Sequence, residues 1–183
     1  MLNTTQSGSR NAHSLTTDAA VDLHWYAIST RSRHEKLVRD RLAGIGIEPF
    51  LPLTRQLRQW SDRKVMTELP LFAGYCFAHF SLNNRRAILQ LPGVAGIVGS
   101  TAPEAIPAIE LDAIRALSAI NRPVEPHDYF SEGAWVEVVT GPLIGMRGQF
   151  VRRDGQHLIV LRVNLIQQAA AVHIDADEVV PVN

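Results

Sequence analysis

The sequence has 183 residues, of which 46% are hydrophobic, and its 18 Lys and Arg residues balance 18 Asp and Glu residues. This composition is typical of a globular protein with one medium or two small domains, and no apolar run reaches the roughly 18–20 residues of a membrane-spanning helix. The single cysteine, Cys76, excludes an internal disulfide and a cysteine-based metal site, so we expect a reduced, cytoplasmic environment.

The balanced total conceals opposite charges in the two halves of the chain. Residues 23–122 contain 13 Lys and Arg against 8 Asp and Glu, whereas residues 123–183 contain 4 against 8. Nine of the 13 positive residues lie between Arg31 and Lys64. A basic first half and an acidic second half predict two different partners, or an attraction between the halves.

Periodicity and turn residues divide the first 120 residues into alternating strands and helices. Residues 1–22 are polar and lack an apolar core, so we expect a disordered leader and not a secretory signal. The predicted elements that follow are a strand (24–30), a helix (33–42), an edge strand (47–53), a polar hairpin (55–68), a strand (70–80), a helix (81–91), a strand (95–98) and a helix (109–120).

The order of these elements predicts an α+β fold. Residues 23–120 form a ferredoxin/RNP-like domain, in which two helices cover one face of a four-stranded antiparallel sheet and leave the other face open. Residues 121–129, with two prolines, are predicted to be a linker. Residues 130–183 contain short alternating strands and tight turns without a helical period, which predicts an all-β barrel.

The strand at 70–80 is apolar on both faces, whereas a half-buried strand alternates apolar and polar residues. One side carries Leu71, Ala73, Tyr75 and Phe77, and the other begins at Phe72. Because the helices cover only one face, the Tyr75 and Phe77 side must meet another part of this chain or another protein. Both contacts are possible if the barrel and a partner protein compete for the same surface.

An alternative interpretation is an RNA-recognition motif. Residues 74–80 are similar to the aromatic signature of its third strand, and Tyr26 on the first strand would be a second stacking platform. That motif has no place for the long basic hairpin, so it remains the alternative.

Several short motifs occur in one order and together resemble the NusG superfamily over nearly all of residues 24–183. Within that superfamily, the motifs most resemble those of the UpxY-type and RfaH-like transcription antiterminators. The motifs are Trp25-Tyr26-Ala27-Ile28, Arg33-His34-Glu35-Lys36, Arg58-Gln59-Trp60-Ser61-Asp62-Arg63-Lys64, Pro70-Leu71-Phe72-Ala73-Gly74-Tyr75, Gly93-Val94 with Ile97-Val98-Gly99, and a KOW element from Gly133 to Gly148.

The resemblance implies two binding surfaces on the first domain. The open face would dock on the clamp helices of RNA polymerase through Tyr26, Phe72, Tyr75 and Phe77, although strand alternation places Phe72 on the helix side. Basic residues would hold the upstream non-template DNA strand. These nucleic-acid-binding candidates are Arg31, Arg33 and His34 at the first strand–helix junction, and Arg58, Trp60, Arg63 and Lys64 on the hairpin, with Arg55 beside them.

In the second domain the resemblance implies an SH3-like KOW barrel whose turns use Gly141, Pro142, Gly145 and Gly148. It also implies a partner site at Ile166 for a small ribosomal subunit protein or for Rho. Ile166-Gln167-Gln168 lacks the Gly and Arg of the family segment, which argues against Rho and favours a factor that opposes termination.

The sequence therefore predicts an operon-specific elongation and antitermination factor that suppresses pausing and termination. The alternatives are a general NusG-like elongation factor and an RNA-binding module with a KOW barrel. We expect a monomer without membrane association, cofactor, metal or catalytic activity. The histidines are scattered, no phosphate-binding glycine loop occurs, and Cys76 and His79 fall on opposite sides of a strand.

Overall fold

The computed structural model describes residues 22–59, 63–99, 101–120, 122, 124–127, 133–153 and 155–182. The first half contains β1 (His24–Thr30), β2 (Glu48–Phe50), β5 (Tyr75–Phe80) and β6 (Val94–Ile97). These strands form an antiparallel sheet in the order β2-β5-β1-β6, with β1 and β5 paired from His24 and Phe80 to Ser29 and Tyr75. The chain thus has the predicted mixed α/β architecture with antiparallel sheets.

Two helices cover one face of this sheet, as predicted. Helix α1 (Glu35–Gly44) buries Val38 and Leu42. The segment predicted as a helix at 81–91 is a 3₁₀ turn followed by the short helix α2 (Arg85–Leu89), and the Ser81 hydroxyl accepts a hydrogen bond from the Asn83 amide at 3.4 Å. The core between helices and sheet contains Tyr26, Ile28, Val38, Leu42, Ile47, Leu51, Cys76, Ala78, Phe80 and Ile88.

The predicted polar hairpin is present as a separate two-stranded sheet. It consists of β3 (Leu53–Gln59) and β4 (Lys64–Pro70), paired without a register shift from Leu53 and Pro70 to Gln59 and Lys64. The hairpin contacts helix α1, where Lys36 Nζ donates a hydrogen bond to the Glu68 carbonyl at 2.9 Å.

Helix α3 (Ala108–Ala119) follows β6, and the second half of the chain then contains six strands. The strands form one antiparallel sheet in the order β12-β8-β9-β10-β11-β7. Their bounds are β7 (Val124–His127), β8 (Ala134–Val138), β9 (Arg147–Arg153), β10 (Gln156–Val163), β11 (Gln168–His173) and β12 (Val179–Pro181).

Part of the segment predicted as a linker is a strand of this sheet. β7 pairs with β11 from Val124 and Val172 to His127 and Ala169. Pro126, which suggested a linker, is accommodated because β7 lies at the end of the strand order, where a missing amide donor costs no central hydrogen bond.

The sheet face predicted to be open is covered by the chain itself. One hydrophobic cluster joins Ala27, Phe72 and Phe77 of the first half to α3 and to strands of the second half. Its helical contribution is the stripe Leu111, Ile114 and Leu117, spaced three residues apart. The expectation of an exposed apolar face was therefore wrong for this conformation, whereas the expectation that another part of the chain meets this face was correct.

Candidate functional site

Aromatic side chains line the sheet face away from α1 and α2. The Phe77 ring lies 6.1 Å from the Phe50 ring and 6.1 Å from the Phe72 ring, and the Trp25 and Phe50 centroids are 6.3 Å apart. Tyr75 is half-buried beside them. We call these five residues the aromatic face.

Phe72 belongs to the aromatic face, so its predicted position on the helix side was wrong. Strand alternation does not extend back to Phe72, because residues 71–74 form a turn and β5 starts only at Tyr75. Gly74 adopts a φ of 82° in this turn, and its amide donates to the Glu35 carboxylate of α1 at 2.7 Å. The buried Glu35 thereby fixes the bend that brings Phe72 across to Phe77.

Tyr26 is not part of the aromatic face, which corrects its assignment as a docking residue. It is 4% exposed, lies among the residues under α1 and α2, and its ring is 4.6 Å from that of Phe80. Burial, and to a smaller extent Asp22, raises the pKa of Tyr26. With Tyr26 on the helix side and Phe77 buried on the other, the two rings do not form the shared stacking platform that an RNA-recognition motif requires.

Helix α3 closes one side of the aromatic face. The Arg115 guanidinium lies 4.8 Å from the Trp25 ring centroid and 5.9 Å from that of Phe50, which are cation–π distances. Phe77 and Phe72 are 0% and 1% exposed, whereas Trp25, Phe50 and Tyr75 are half-buried. The centre of the aromatic face is thus inaccessible, and only its margin reaches solvent.

The turn between β10 and β11 docks on the first half. Gln168 Nε2 donates to the Ala73 carbonyl at 3.1 Å, and Asn164 Nδ2 donates to the Glu110 carboxylate of α3 at 2.7 Å. Ile166, the predicted partner-binding residue, is 5% exposed and belongs to the joint cluster. Ile166 is therefore buried in this conformation, and an incoming partner cannot contact it until the turn moves.

Basic residues gather where α1 begins and where the hairpin starts. Arg31 and Arg33 are exposed, and Arg33 has a φ of 62°, a conformation that few non-glycine residues adopt. His34 is half-buried, with Nδ1 2.8 Å from the Ser32 carbonyl oxygen. Lys36, which sequence reasoning did not single out, joins this junction to the hairpin. Lys36 lies in the first turn of α1 and faces the polar stretch, and this position is the sequence feature that could have identified it.

The described residues of the hairpin keep their charges at the surface. Arg63 and Lys64 are exposed, and Arg55 Nε lies 3.2 Å from a carboxylate oxygen of Glu68. Trp60 lies outside the described residues, and for Arg58 only the backbone, in β3, is described. Lys36 and Arg55 thus both contact Glu68. We call the cations of the junction and the hairpin, Arg31, Arg33, Lys36, Arg55, Arg63 and Lys64, the basic surface.

Gly141 and Gly145 of the KOW-like segment lie in the turn between β8 and β9, whereas Gly148, also predicted to serve a turn, lies in β9. Gly141 and Gly145 have φ values of 80° and 82°, and Pro142 is exposed in the same turn. A Cβ on Gly148 would lie 2.7 Å from the Val160 carbonyl oxygen and 2.8 Å from Ile159 Cγ1. Gly148 therefore permits the close approach of β9 to β10.

An ion pair that sequence reasoning missed joins the connection after α3 to the second sheet. Arg122 Nη1 and Nη2 donate to Glu178 Oε2 and Oε1 at 3.0 and 2.9 Å. The hydrogen bond from Arg122 is the main cause that lowers the pKa of Glu178, and the same bond raises the pKa of Arg122. No sequence pattern indicates this pair, because its members are 56 residues apart.

The described residues contain no group of three His, Cys, Asp or Glu side chains that could hold a metal ion. Burial raises the pKa of the Cys76 thiol to about 12, so it is protonated at neutral pH and unsuited to nucleophilic chemistry. Across the same part of the chain, no helix has the length and apolarity needed to cross a membrane.

Comparison with known proteins places the first half in a family. The family described as transcription termination factor NusG matches residues 23–115, just over half of the 183-residue chain. No curated protein sequence matches.

One solved structure agrees with this assignment at the level of the fold. A structure on domain interaction in Thermotoga maritima NusG aligns with a TM-score of 0.52 at 21% identity, over 88% of this chain and 98% of the other. A structure of the MjSpt4:Spt5 complex, conformation B, aligns with a TM-score of 0.30 at 18% identity, over 87% of this chain and 97% of the other. The chain belongs to the NusG family of transcription factors.

Proposed function

We propose that this protein is an elongation and antitermination factor that binds RNA polymerase through the aromatic face and upstream non-template DNA through the basic surface. The observation that carries this proposal is the aromatic face itself. Five large aromatic side chains lie on one side of a sheet whose own helices, α1 and α2, cover the other side. Part of its cover is supplied by a second sheet, which is a separate element that can be replaced by a partner.

Polymerase docking and the cover compete for the same surface in this proposal. The polymerase clamp helices would take the place of the β10–β11 turn beside Phe72 and Tyr75. The polar contacts of this turn are modest, since Gln168 and Asn164 make their hydrogen bonds at exposed positions, so the joint hydrophobic cluster is the main contact that holds the halves closed. Closure lowers polymerase affinity without blocking docking permanently, because the apparent dissociation constant is the intrinsic one divided by the fraction of open molecules.

The basic surface supports the DNA part of the proposal. Single-stranded DNA held at several phosphates by Arg and Lys side chains gives an affinity that decreases steeply with salt. The surface reaches from Arg31 at the end of β1 to Lys64 at the start of β4, and the Lys36 bond to the hairpin keeps both parts in one place. We propose that Trp60, which lies in the sequence between β3 and β4, stacks on an exposed base.

The second half, proposed to be a KOW domain, would bind its own partner after opening. Ile166 is buried against the first half, so a small ribosomal subunit protein would reach it only once the halves have separated. The Gln167-Gln168 sequence in place of Gly and Arg supports an antiterminator of the UpxY or RfaH type over a Rho-dependent factor. A general NusG-like elongation factor is the second candidate, supported by the family match to residues 23–115.

An in vitro elongation assay tests the proposal. Wild type and Tyr75→Ala are compared on a template with a pause site and a Rho-dependent terminator, with and without Rho. Tyr75 is the residue of choice because it is half-buried, whereas removing the fully buried Phe77 ring would cost about 3–5 kcal/mol of stability. We expect wild type to shorten pauses and increase readthrough, and Tyr75→Ala to lose both effects. Pause lifetimes that are equal for the two proteins would refute the docking site.

A further inference from the structure

The Arg122–Glu178 ion pair holds the connection between the two halves onto the second sheet. The two guanidinium–carboxylate bonds are parallel, at 2.9 and 3.0 Å, and Arg122 Nη1 also donates to the His173 carbonyl at 3.3 Å. The side chains are 33% and 14% exposed, so water screens the pair only in part. A bidentate pair of this kind fixes both position and orientation.

Glu178 is held in place by contacts other than those it makes with Arg122. Its carboxylate accepts from the Asp175 amide at 3.0 Å, and its carbonyl accepts from the Val139 amide at 2.8 Å. Gly141 leaves room for it, since a Cβ there would lie 2.8 Å from Glu178 Oε1. Two segments of the second half, residues 139–141 and 175–178, thus hold Glu178 in place, so Arg122 binds a preformed site.

Strand β7 is contacted from both halves of the molecule. On the second half it pairs with β11 at four positions, one of them Pro126, which has no amide to donate. On the first half, the Thr54 hydroxyl of the hairpin donates to the Val124 carbonyl. When the halves separate, β7 must leave either Thr54 or β11. Arg122 lies two residues before Val124, and its bonds to Glu178 add to the contacts that hold β7 on β11 and the second half.

We propose that the Arg122–Glu178 pair keeps β7 on the second half during opening, so that the two halves stay joined by a very short tether. The inference rests on the opening proposed above. With the pair intact, two residues lie between Ala119 at the end of α3 and Arg122, so the connection spans three Cα–Cα steps, a reach of about 10 Å. With β7 released, the tether extends from Ala119 to Ala134 at the start of β8, a reach of about 50 Å.

The tether length decides how the second half moves. A reach of about 10 Å allows a pivot at the end of α3, so the second half remains beside the first and its local concentration stays high. The closed arrangement then re-forms readily when the aromatic face is vacated. A fivefold longer tether lowers that concentration and favours the open molecule.

Hydrogen exchange of the full-length protein tests the pair directly. The backbone amides of residues 124, 125 and 127 are followed in wild type, Arg122→Ala and Glu178→Gln. The matched control is Glu137→Gln, which breaks the exposed Arg147–Glu137 pair on the neighbouring strands β8 and β9. We expect roughly tenfold faster exchange of these amides in both test variants and no change in the control. Arg122→Ala leaves Glu178 and its backbone contacts in place, so it serves if Glu178→Gln fails to fold.

The length of the tether is tested by measuring the distance between spin labels at Ala87→Cys and Ala134→Cys in the same variants. Cys76 is fully buried and its thiol pKa is raised to about 12, so it does not compete for the label. Upon addition of RNA polymerase we expect longer distances in Arg122→Ala than in Glu137→Gln. Unchanged β7 exchange in both test variants overturns the proposal. Faster β7 exchange without any response to polymerase upholds the pair and contradicts only the proposed polymerase docking.

Discussion

The strength of the closure can be tested by removing the two hydrogen bonds that the β10–β11 turn makes to the first half. In the variant Asn164→Ala/Gln168→Ala, the Glu110 carboxylate and the Ala73 carbonyl lose these donors, at 2.7 and 3.1 Å in the wild type. Both hydrogen bonds lie at exposed positions, although Glu110 itself is half-buried, so water can replace the lost donors and each bond contributes about 0.5–1 kcal/mol. Together they favour the closed arrangement by about 1–2 kcal/mol.

This magnitude sets the expected change in polymerase affinity. A loss of about 1–2 kcal/mol shifts the closed–open equilibrium roughly 5–30-fold towards the open form. Because only the open form exposes the aromatic face, we expect the apparent dissociation constant for RNA polymerase to decrease by up to the same factor. The gain is limited by the closed population of the wild type, so it cannot exceed the initial ratio of closed to open molecules.

The assay is equilibrium binding of a fluorescently labelled full-length chain to nuclease-treated RNA polymerase. The matched control is Gln90→Ala, which removes an amide side chain from an exposed position after α2. Denaturation curves establish that each variant remains folded. If the double variant binds polymerase no better than wild type and the Gln90→Ala control, the two bonds do not hold the aromatic face closed.

Three further predictions concern stability and DNA binding. Gly148→Ala is expected to lower the free energy of unfolding by about 1–3 kcal/mol, because the new Cβ would lie 2.7 Å from the Val160 carbonyl oxygen. The control Gly44→Ala has open space around the new Cβ and should not destabilise the protein. Equal denaturation midpoints for the two variants would contradict this prediction. Arg33→Ala is expected to reduce the salt dependence of single-stranded DNA binding by about 0.7 in log–log slope, and an unchanged slope would remove Arg33 from the interface. Because the pKa of Glu178 is lowered, its pair with Arg122 stabilises the fold at pH values above the usual pKa of 4.5, and this stabilisation is lost as the pH falls through the lowered value. The difference in unfolding free energy between wild type and Arg122→Ala should therefore be constant near neutral pH and vanish in strong acid. A difference that grows on acidification would contradict this prediction.

The first sheet and its helices were predictable because local signals agreed with the final packing. Gly44 and Gly46 end α1, and the polar stretch between two apolar runs forms the hairpin. The face of individual residues was less predictable. The pattern around Tyr26 and Phe72 is apolar at consecutive positions, so alternation alone could not assign sides, and the turn at residues 71–74 depends on a distant partner, Glu35.

The arrangement of the two halves could not be predicted from local sequence. The docking of Gln168 on Ala73 joins residues 95 positions apart, and the strand character of Val124–His127 depends on pairing with β11. A proline-containing polar segment has no intrinsic preference that distinguishes an edge strand from a linker. Long-range contacts of this kind decide which predicted surface residues are accessible, and they explain why Phe77 and Ile166 are buried.

The central claim, that the aromatic face binds RNA polymerase, is tested most directly in the opened background. Tyr75→Ala is combined with Asn164→Ala/Gln168→Ala, and polymerase affinity is measured against the double variant alone. A protein whose cover is already loosened should bind tightly with Tyr75 present and at least tenfold more weakly without it, since a well-packed interface aromatic is worth about 2 kcal/mol or more. Equal affinities would mean that polymerase contacts this protein somewhere other than the aromatic face.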